Sequence, residues 1–456
     1  MAEPAHTSTS RPATDQGGFG GGGPDPALLA DCVHCGFCLP ACPTYDLWAE
    51  EMDSPRGRIH LMELVRQGEV PLDATVVGHF DACLGCMACV TACPSGVRYD
   101  RLIEQTRAAI ERERPRRWHE RAFRRLVFSL FPEPRRLQAA MVAAWAYRRL
   151  GLRALLRRSG LVRRLPARLA TLEALVPDRR LSELSGRLDG KASGAGRSPR
   201  ARVALLTGCV ESVLFSDVQA AAVRVLAAEG CDVTVPPDQG CCGALGLHSG
   251  EDEHARAKAR ALIDTLEASD ADALVTCTAG CGSALKGYGD LLADDPAYAQ
   301  RAVALASRVR DVSELLAELG PVAPRHPLPA RVAYQEACHL AHAQGIREAP
   351  RSLLRSIPDL ELVEIADAQR CCGSAGLYNL LEPETATELG AAKSAAIAQA
   401  EPDLVASANA GCALQISRFL DIPVRHPVQL LDAAIRGEDP RPSRPAPPTS
   451  EGTLPR

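Results

Sequence analysis

Eighteen cysteines, most of them in tight clusters, constrain this 456-residue chain more than any other feature. Clustered cysteines form disulfides in an oxidising compartment, whereas in a reducing one they serve as metal ligands or redox groups. The first 26 residues contain no apolar segment after a basic start, and no stretch approaches 18 consecutive apolar residues. We therefore expect the chain to stay in the cytoplasm, with its clustered thiols reduced and available to metals.

Composition and charge narrow the class of protein further. Hydrophobic residues make up 46% of the chain, which is enough to fill sizeable cores, and the formal net charge of −4 argues against a nucleic-acid binder. The charge is unevenly spread, because residues 101–200 contain 25 Arg and Lys against 9 Asp and Glu. This basic, helix-patterned region is compatible with an anionic membrane surface, an acidic partner or a merely solvated face.

One cysteine spacing occurs twice in the first quarter of the chain. It is Cys-x-x-Cys-x-x-Cys-x-x-x-Cys-Pro, the run that binds four-iron clusters in bacterial ferredoxins. Three thiolates two residues apart let one loop hold three corners of a cubane, and in two-cluster ferredoxins the fourth cysteine ligates the other cluster. Structural zinc, which takes two Cys-x-x-Cys pairs, fits this spacing poorly. The spacing predicts two crossed ligand sets: Cys32, Cys35, Cys38 and Cys93 for cluster 1, and Cys83, Cys86, Cys89 and Cys42 for cluster 2.

Residues 201–435 contain a tandem duplication. Matching cysteines are 129 to 131 residues apart, and each copy contains a Cys-Cys-Gly motif. Short apolar runs alternate with Ala-rich helical stretches, such as 217–229, 254–268 and 384–398, which predicts α/β domains with mainly parallel sheets and cysteines at the strand ends. The candidate redox or metal sites are Cys209, Cys241, Cys242, Cys277 and Cys281 in the first copy, and Cys338, Cys371, Cys372 and Cys412 in the second.

The chemistry of these Cys-Cys-Gly sites stays open at the level of sequence. An iron–sulfur or other redox centre, a zinc ion, a vicinal disulfide and inert buried thiols all compete. Cys277 has Ala408 as its counterpart, so we expect the two sites to differ. His339 and His342 follow Cys338 and are further candidates for the second site, whereas Cys231 is expected to be a core thiol. We find no dinucleotide fingerprint, phosphate loop or nucleophile elbow, and so we predict no organic catalytic residue.

The predicted fold class is a multidomain α+β and α/β protein. An α-helical, ferredoxin-like two-cluster domain comes first, then a basic helical connector, and then two tandem α/β Cys-Cys-Gly domains. The predicted bounds are a disordered tail at 1–26, the two-cluster domain at 27–105, the connector at 106–184, a linker at 185–200, the first Cys-Cys-Gly domain at 201–325, the second at 326–436 and a Pro-rich tail at 437–456.

Several longer motifs resemble one known family. They are the run from ADCVHCGFC to PRGRIHLMELV, the run CLGCMACVTACPSGVRYDRLIE, and the segments GCCGALGLHSG and RCCGSAGLYNLL. Together they resemble the iron–sulfur subunits of bacterial glycolate oxidases over residues 28–434. The resemblance implies an electron-transfer subunit, inactive alone, in a complex that oxidises glycolate to glyoxylate.

The same resemblance implies cofactors and partners. Two 4Fe–4S clusters would lie in this chain, FAD would lie on partner subunits, and a membrane quinone is an expected acceptor at the cytoplasmic face of the inner membrane. The Cys-Cys-Gly domains resemble heterodisulfide-reductase-type subunits, which can bind noncubane clusters with a closing Cys-x-x-Cys pair. The first copy has Cys-x-x-x-Cys and the second a single closing cysteine, so a centre in the second copy is less strongly implied. The equivalent subunit of a D-lactate or glycerol-3-phosphate dehydrogenase and a zinc-stabilised scaffold are the rival functions.

Overall fold

The computed structural model forms two compact units. The first is made of residues up to 85 together with 89–117, and the second of residues 86–88 together with 118 onward. The described residues are 18–20, 22–114, 116–159, 164–176, 188, 190–194 and 198–441.

Two sequence predictions fall largely on residues that the structure does not describe. Of the predicted N-terminal tail, residues 1–17 and 21 lie outside the described residues, and of the Pro-rich tail residues 442–456 do. Part of the predicted linker is also outside them, although residues 190–192 within it form a short strand.

The first unit is helical in its described part, as predicted. Helices α3, α4 and α6 pack together and bury Met62, Val65, Phe80, Leu102 and Ile103 completely. The helices are α1 (Pro26–Ala30), α2 (Pro43–Trp48), α3 (Pro55–Gln67), α4 (Ala74–Asp81), α5 (Ala88–Ala92) and α6 (Tyr99–Glu113), with a 3₁₀ turn at Glu51–Asp53.

Helix α3 illustrates how the sequence sets these bounds. The Ser54 hydroxyl accepts a hydrogen bond from the Gly57 amide at 3.0 Å and caps the first turn. Gly68 ends the helix with φ +74°, a conformation that glycine adopts without steric cost. Gly57 is required for another reason, since a Cβ at this position would lie 1.9 Å from the Glu51 carbonyl oxygen. Helix α3 can therefore approach the 3₁₀ turn closely.

The second unit begins with the basic connector. Helix α6 ends at Glu113, so the predicted boundary at 105/106 falls inside a helix. The connector helices in the described residues are α7 (Trp118–Leu130), α8 (Pro134–Arg149), α9 (Leu152–Arg158) and α10 (Ala167–Ala174).

Two parallel sheets follow, one in each copy of the duplication. Their strand orders are β1-β3-β2-β4-β5 and β7-β6-β8-β9, so the inner order of the first sheet recurs in the second. The described pairings are parallel except that of β1 with β3. The strands are β1 (Gly190–Ala192), β2 (Arg202–Leu206), β3 (Asp232–Val235), β4 (Ala273–Thr276), β5 (Val309–Asp311), β6 (Ala330–Gln335), β7 (Leu360–Val363), β8 (Leu404–Ser407) and β9 (Val424–Arg425). The predicted α/β class with parallel sheets is confirmed.

Helices cover both sheets and connect the two copies. Helix α12 of the first copy packs against α23 of the second, and α18 of the first packs against α19 of the second. One continuous apolar cluster therefore contains residues of both sheets. The helices are α11 (Val210–Leu214), α12 (Ser216–Ala228), α13 (Ala244–Leu247), α14 (Asp252–Glu267), α15 (Ala279–Lys286), α16 (Tyr288–Leu291), α17 (Ala299–Ser307), α18 (Val312–Leu319), α19 (Glu348–Arg355), α20 (Tyr378–Leu381), α21 (Pro383–Gln399), α22 (Ala410–Ile416) and α23 (Pro427–Arg436).

Candidate metal centres

The first ferredoxin-type loop encloses a cavity lined by cysteines. His34 and Gly36 have φ values of +53° and +88°, and these left-handed residues turn the backbone around the cavity. Burial raises the pKa of the Cys32 thiol, and its proximity to Cys93 raises it further. The predicted cluster 1 ligands line this cavity together with a fifth cysteine: Cys32, Cys35, Cys38, Cys93 and Cys89.

Cys42, the last cysteine of the first motif, lies at the N-terminal end of α2. Its side chain is buried, and its Sγ lies 3.3 Å from the Thr44 hydroxyl oxygen and 3.9 Å from Nη1 of Arg58. The Arg58 guanidinium is only 1% exposed and donates to Asp53 Oδ1 at 3.1 Å and to the His79 carbonyl at 2.6 Å. A buried positive charge is therefore fixed beside this thiol.

Cys83 belongs to the second motif and is surrounded by hydrogen-bond donors. The Tyr99 hydroxyl donates to its Sγ at 3.6 Å, and the Gly85 amide donates to it at 3.4 Å. Burial alone would raise the pKa of the Cys83 thiol, but the positive charges of Arg58 and Arg107 lower it. Both Cys42 and Cys83 thus interact with the same guanidinium, as expected if they serve one anionic cluster. Sequence reasoning did not find Arg58 or Tyr99, although both lie in motifs it singled out.

The Cys-Cys-Gly site of the first copy collects four cysteines after the ends of three strands. Cys209 follows β2, the Cys241–Cys242 pair follows β3, and Cys281 lies in α15 after β4. The Cys242 and Cys281 sulfur atoms are 3.2 Å apart. Hydrogen bonds from Cys209 and Cys242 lower the pKa of the Cys241 thiol, and the Gly243 amide also donates to its Sγ at 3.4 Å. One thiolate is therefore stabilised within the set.

Cys277 does not join these four thiols. It is buried in the apolar cluster between the two sheets, together with Val275, which is two residues earlier and on the same face. Burial raises the pKa of its thiol well above the ordinary value, and Glu211 and Asp311 add to the effect. Cys231 lies in the same apolar cluster.

The second copy repeats the arrangement. Cys338 follows β6, Cys371 and Cys372 follow β7, and Cys412 lies in α22 after β8. Hydrogen bonds from Cys371 and Cys412 lower the pKa of the Cys372 thiol, and the Asn409 amide donates to the Cys412 sulfur at 3.3 Å. The chain thus contains two sets of four thiols, each at the carboxyl ends of parallel strands.

The candidate histidines His339 and His342 form contacts with other side chains of the second unit. His342 contacts the Arg347 guanidinium at 3.1 Å, and burial lowers its pKa to about 4, so it is neutral at pH 7. The His339 ring packs edge-to-face on His248 with centroids 4.8 Å apart. His34 contributes its carbonyl oxygen to Arg56 in the first loop.

The donor sets consist of thiols, which suit both iron–sulfur clusters and zinc. In the ferredoxin-type loops, three cysteines two residues apart favour a four-iron cluster, which binds each thiolate through a different iron. In the first Cys-Cys-Gly site, the Cys242 and Cys281 sulfur atoms are also close enough to share one metal ion.

A two-cluster ferredoxin-type motif joined to a duplicated cysteine-rich α/β domain defines a multi-centre iron–sulfur protein. Three family models match in agreement with this class: a 4Fe-4S dicluster domain over residues 28–97, the linker region of glycolate oxidase iron–sulfur subunits over 119–176, and a cysteine-rich domain over both 203–286 and 332–417. The cofactors are accordingly iron–sulfur clusters.

Known proteins match almost the whole chain. A probable glycolate oxidase iron–sulfur subunit of Bacillus subtilis is 39% identical over 400 residues, covering 86% of this chain and 89% of that protein. A glycolate oxidase iron–sulfur subunit of Escherichia coli is 34% identical over 429 residues, covering 90% and 95%. A lactate utilization protein A of an Exiguobacterium species is 30% identical over 233 residues, covering 51% and 95%. The chain belongs to the family of glycolate oxidase iron–sulfur subunits.

Proposed function

We propose that this chain is the electron-transfer subunit of a flavin-dependent complex that oxidises glycolate to glyoxylate. The observation that carries the proposal is the near full-length match to two proteins named as that subunit. Oxidation of glycolate releases two electrons and two protons, which FAD on a partner subunit would accept together. Iron–sulfur clusters would then pass the electrons on one at a time, so this chain is inactive without its partners.

The two crossed ligand sets are part of the proposal. Support for cluster 1 comes from the cavity that Cys32, Cys35, Cys38 and Cys93 line in common, which Cys89 of the other set also borders. For cluster 2, support comes from the shared action of Arg58 on Cys42 and Cys83, residues of different motifs. The sequence adds the two remaining ligands, Cys86 and Cys89, through the spacing of the second motif.

We propose further that the connector contacts an anionic membrane surface. The connector surface is defined by eight apolar side chains that are at least 40% exposed and lie among exposed arginines. Such a combination binds the headgroup region of anionic bilayers and would bring the clusters to a quinone acceptor. Among the helices described, none is both long and apolar enough to cross a bilayer. The eight residues are Trp118, Leu126, Val142, Leu150, Leu152, Leu155, Leu165 and Leu169.

The connector surface can be tested with vesicles of stated composition. Flotation with anionic phosphatidylglycerol vesicles should recover the chain at low salt, and neutral phosphatidylcholine vesicles should recover much less of it. Leu150→Glu with Leu155→Glu should abolish flotation, because both side chains are largely exposed and would need to enter the bilayer. Val303→Glu, at an exposed apolar position in α17, is the control and should float as the wild type does. Flotation that is unaffected by the connector variants would contradict membrane contact through this surface.

The function itself is tested by anaerobic purification of the tagged full chain from its host. Co-purification of flavin-containing subunits, with dye reduction by glycolate in preference to D-lactate and glycerol-3-phosphate, is expected. Iron and acid-labile sulfide should reach at least about eight per chain, since two four-iron motifs require that number. Dye reduction by another 2-hydroxy acid or by glycerol-3-phosphate would keep the electron relay but replace the substrate. Zinc without sulfide would favour a scaffold instead.

A further inference from the structure

Lys393 in α21 is a fully buried lysine next to the second Cys-Cys-Gly site. None of its surface is exposed, and its ammonium donates hydrogen bonds to the carbonyl oxygens of Asp367 and Ala368 at 3.3 and 2.7 Å. Both of these partners are neutral. A buried ammonium group is strongly unfavourable unless negative charge compensates it. The arrangement therefore calls for an anion within reach of the ammonium.

The thiols of the second site are the groups that can supply this negative charge. Burial lowers the pKa of the Lys393 ammonium, and negative charge on the four thiols, Cys338, Cys371, Cys372 and Cys412, raises it again. A thiol carries charge only as the thiolate, which is also the form that binds metal. The lysine is therefore placed where deprotonated, metal-bound sulfurs would stabilise it.

The first copy lacks this cation. Gly243 and Gly373 occupy equivalent places in the two copies. A Cβ on Gly243 would meet the carbonyl oxygen of Ala255, and a Cβ on Gly373 would meet that of Ala386, which is 131 residues later in the chain than Ala255. The same offset aligns Lys393 with Leu262, which is buried in the apolar cluster of the first copy. Lys258 lies nearby in the first copy, but it is partly exposed and pairs with Glu133 at 2.5 Å. The two sites therefore differ by one buried positive charge.

The number of thiols, in contrast, does not distinguish the two copies. The fifth candidate cysteine of the first copy, Cys277, lies in the cluster between the sheets and away from its site. Each site consequently has four thiols, and the second lacks none that the first uses. The lower cysteine count of the second copy is thus no argument against a centre there.

We infer that the second Cys-Cys-Gly site binds an anionic, thiolate-ligated iron–sulfur centre and that Lys393 is its internal counter-ion. The inference rests on the proposed function in one respect, which is that the redox centres of this chain are iron–sulfur clusters. A buried positive charge stabilises the more negative, reduced form of such a centre. The centre of the second site therefore has a higher reduction potential than it would have with a neutral residue at position 393.

The test compares charge with hydrogen bonding at this position. Lys393→Met removes both, whereas Lys393→Gln removes the charge and keeps donors for the two carbonyl oxygens. Lys258→Met is the control in the first copy, and Cys372→Ser removes a thiol of the second site. Each full-length chain is purified anaerobically and reconstituted with iron and sulfide, and its metal content and its potentials are measured by redox titration with paramagnetic resonance.

We expect Cys372→Ser to lose iron and sulfide relative to the wild type. Lys393→Met and Lys393→Gln should either lose the same iron or keep it with a lower midpoint potential. The expected decrease is at least 59 mV, which corresponds to a tenfold change in the one-electron equilibrium constant. Lys258→Met, which removes a charge that acts on Cys241 of the first site, should leave the iron content and the potential of the second site unchanged. The metal-free Lys393→Met chain should melt at or above the temperature of the metal-free wild type, because it no longer buries an uncompensated charge. If Lys393 had only a structural role, the metal-free Lys393→Met chain would instead melt at a lower temperature than the metal-free wild type.

Three results would overturn the inference. Wild-type iron content and potentials in both Lys393 variants would exclude a counter-ion, and unchanged iron in Cys372→Ser would exclude a centre at the second site. Zinc at that site would exclude an iron–sulfur centre. Failure of the proposed function is separate, since it would appear as missing ferredoxin-type cluster signals in the wild type or as no reduction by glycolate in the complex.

Discussion

The guanidinium of Arg58 lies 3.9 Å from the sulfur of Cys42, and it also forms an ion pair with Asp53 at 3.1 Å. One side of the Arg58 guanidinium therefore binds the Asp53 carboxylate, and its other side faces the sulfur of Cys42, a candidate cluster ligand. Since the ion pair is almost fully buried, the charge cannot be screened by water, and its removal has consequences for both stability and redox chemistry.

The stability consequence can be measured against a neighbour in the same helix. Arg58→Met should lower the free energy of unfolding by about 3–5 kcal/mol, because it leaves Asp53 buried without its main counter-charge. Arg56→Met removes a partly exposed pair with Glu51 and should cost at most about 1 kcal/mol. Urea unfolding of the metal-free chain under reducing conditions measures both. Equal losses in the two variants would contradict the structural role of Arg58.

The crossed ligand sets predict which signal each cysteine variant affects. Cys42→Ser should perturb the cluster that begins at Cys83, and Cys93→Ser the cluster that begins at Cys32, since the fourth cysteine crosses in such pairs. Paramagnetic resonance of the reduced chain separates the two signals. The reverse pattern, with Cys42→Ser affecting only the cluster that begins at Cys32, would refute the crossing.

The hydroxyl of Tyr99 should adjust the potential of cluster 2. Tyr99→Phe removes the donor to the Cys83 sulfur and should lower that potential by roughly 30 mV, about threefold in the one-electron equilibrium constant. The fall follows because a hydrogen bond to sulfur favours the more negative, reduced cluster. Tyr288→Phe is the control, because its hydroxyl donates to the carbonyl of Cys242 instead. An unchanged cluster 2 potential in Tyr99→Phe would mean that the hydroxyl has no part in tuning it.

A buried carboxyl group should make stability depend on pH. Burial raises the pKa of Asp311 from 3.8 to about 7, so the folded chain holds a proton that the unfolded chain has released. Its contribution to stability therefore falls between pH 4 and pH 7, by at most about 4 kcal/mol, and is fully lost above that range. Asp311→Asn should remove this part of the decline in urea unfolding compared at pH 5 and pH 8. A smaller decline in the free energy of unfolding should remain in this variant, because burial raises the pKa of Glu211 to about 8. A pH dependence identical to that of the wild type would argue against Asp311 as its source.

Periodic features of the fold were predictable because local sequence determines them. Predicted helices at 217–229, 254–268 and 384–398 correspond to α12, α14 and α21 within two residues at each end. The duplication was visible because matching cysteines hold a nearly constant offset, and the parallel sheets followed from alternating apolar and helical runs.

Residues that act across large sequence separations were not predictable. Lys393 lies in an Ala-rich helix and gave no local signal, because its thiol neighbours come from three other segments. Cys277 was grouped with Cys281 because the two are close in the chain. Strand alternation instead places Cys277 with Val275, on the face of the sheet opposite to the one that Cys281 contacts. Strand β1 was missed because it is three residues long and pairs antiparallel at a sheet edge.

The reciprocal packing of α12 on α23 and of α18 on α19 bears on how the duplication arose. Each copy covers its apolar side with a helix of the other, so a single copy alone would expose that side to water. An ancestral half-length chain would have buried the same surface only by forming a symmetric dimer. Gene fusion would then have joined the two subunits and freed them to diverge, so that one copy could come to hold Lys393 and the other Leu262 at the equivalent position.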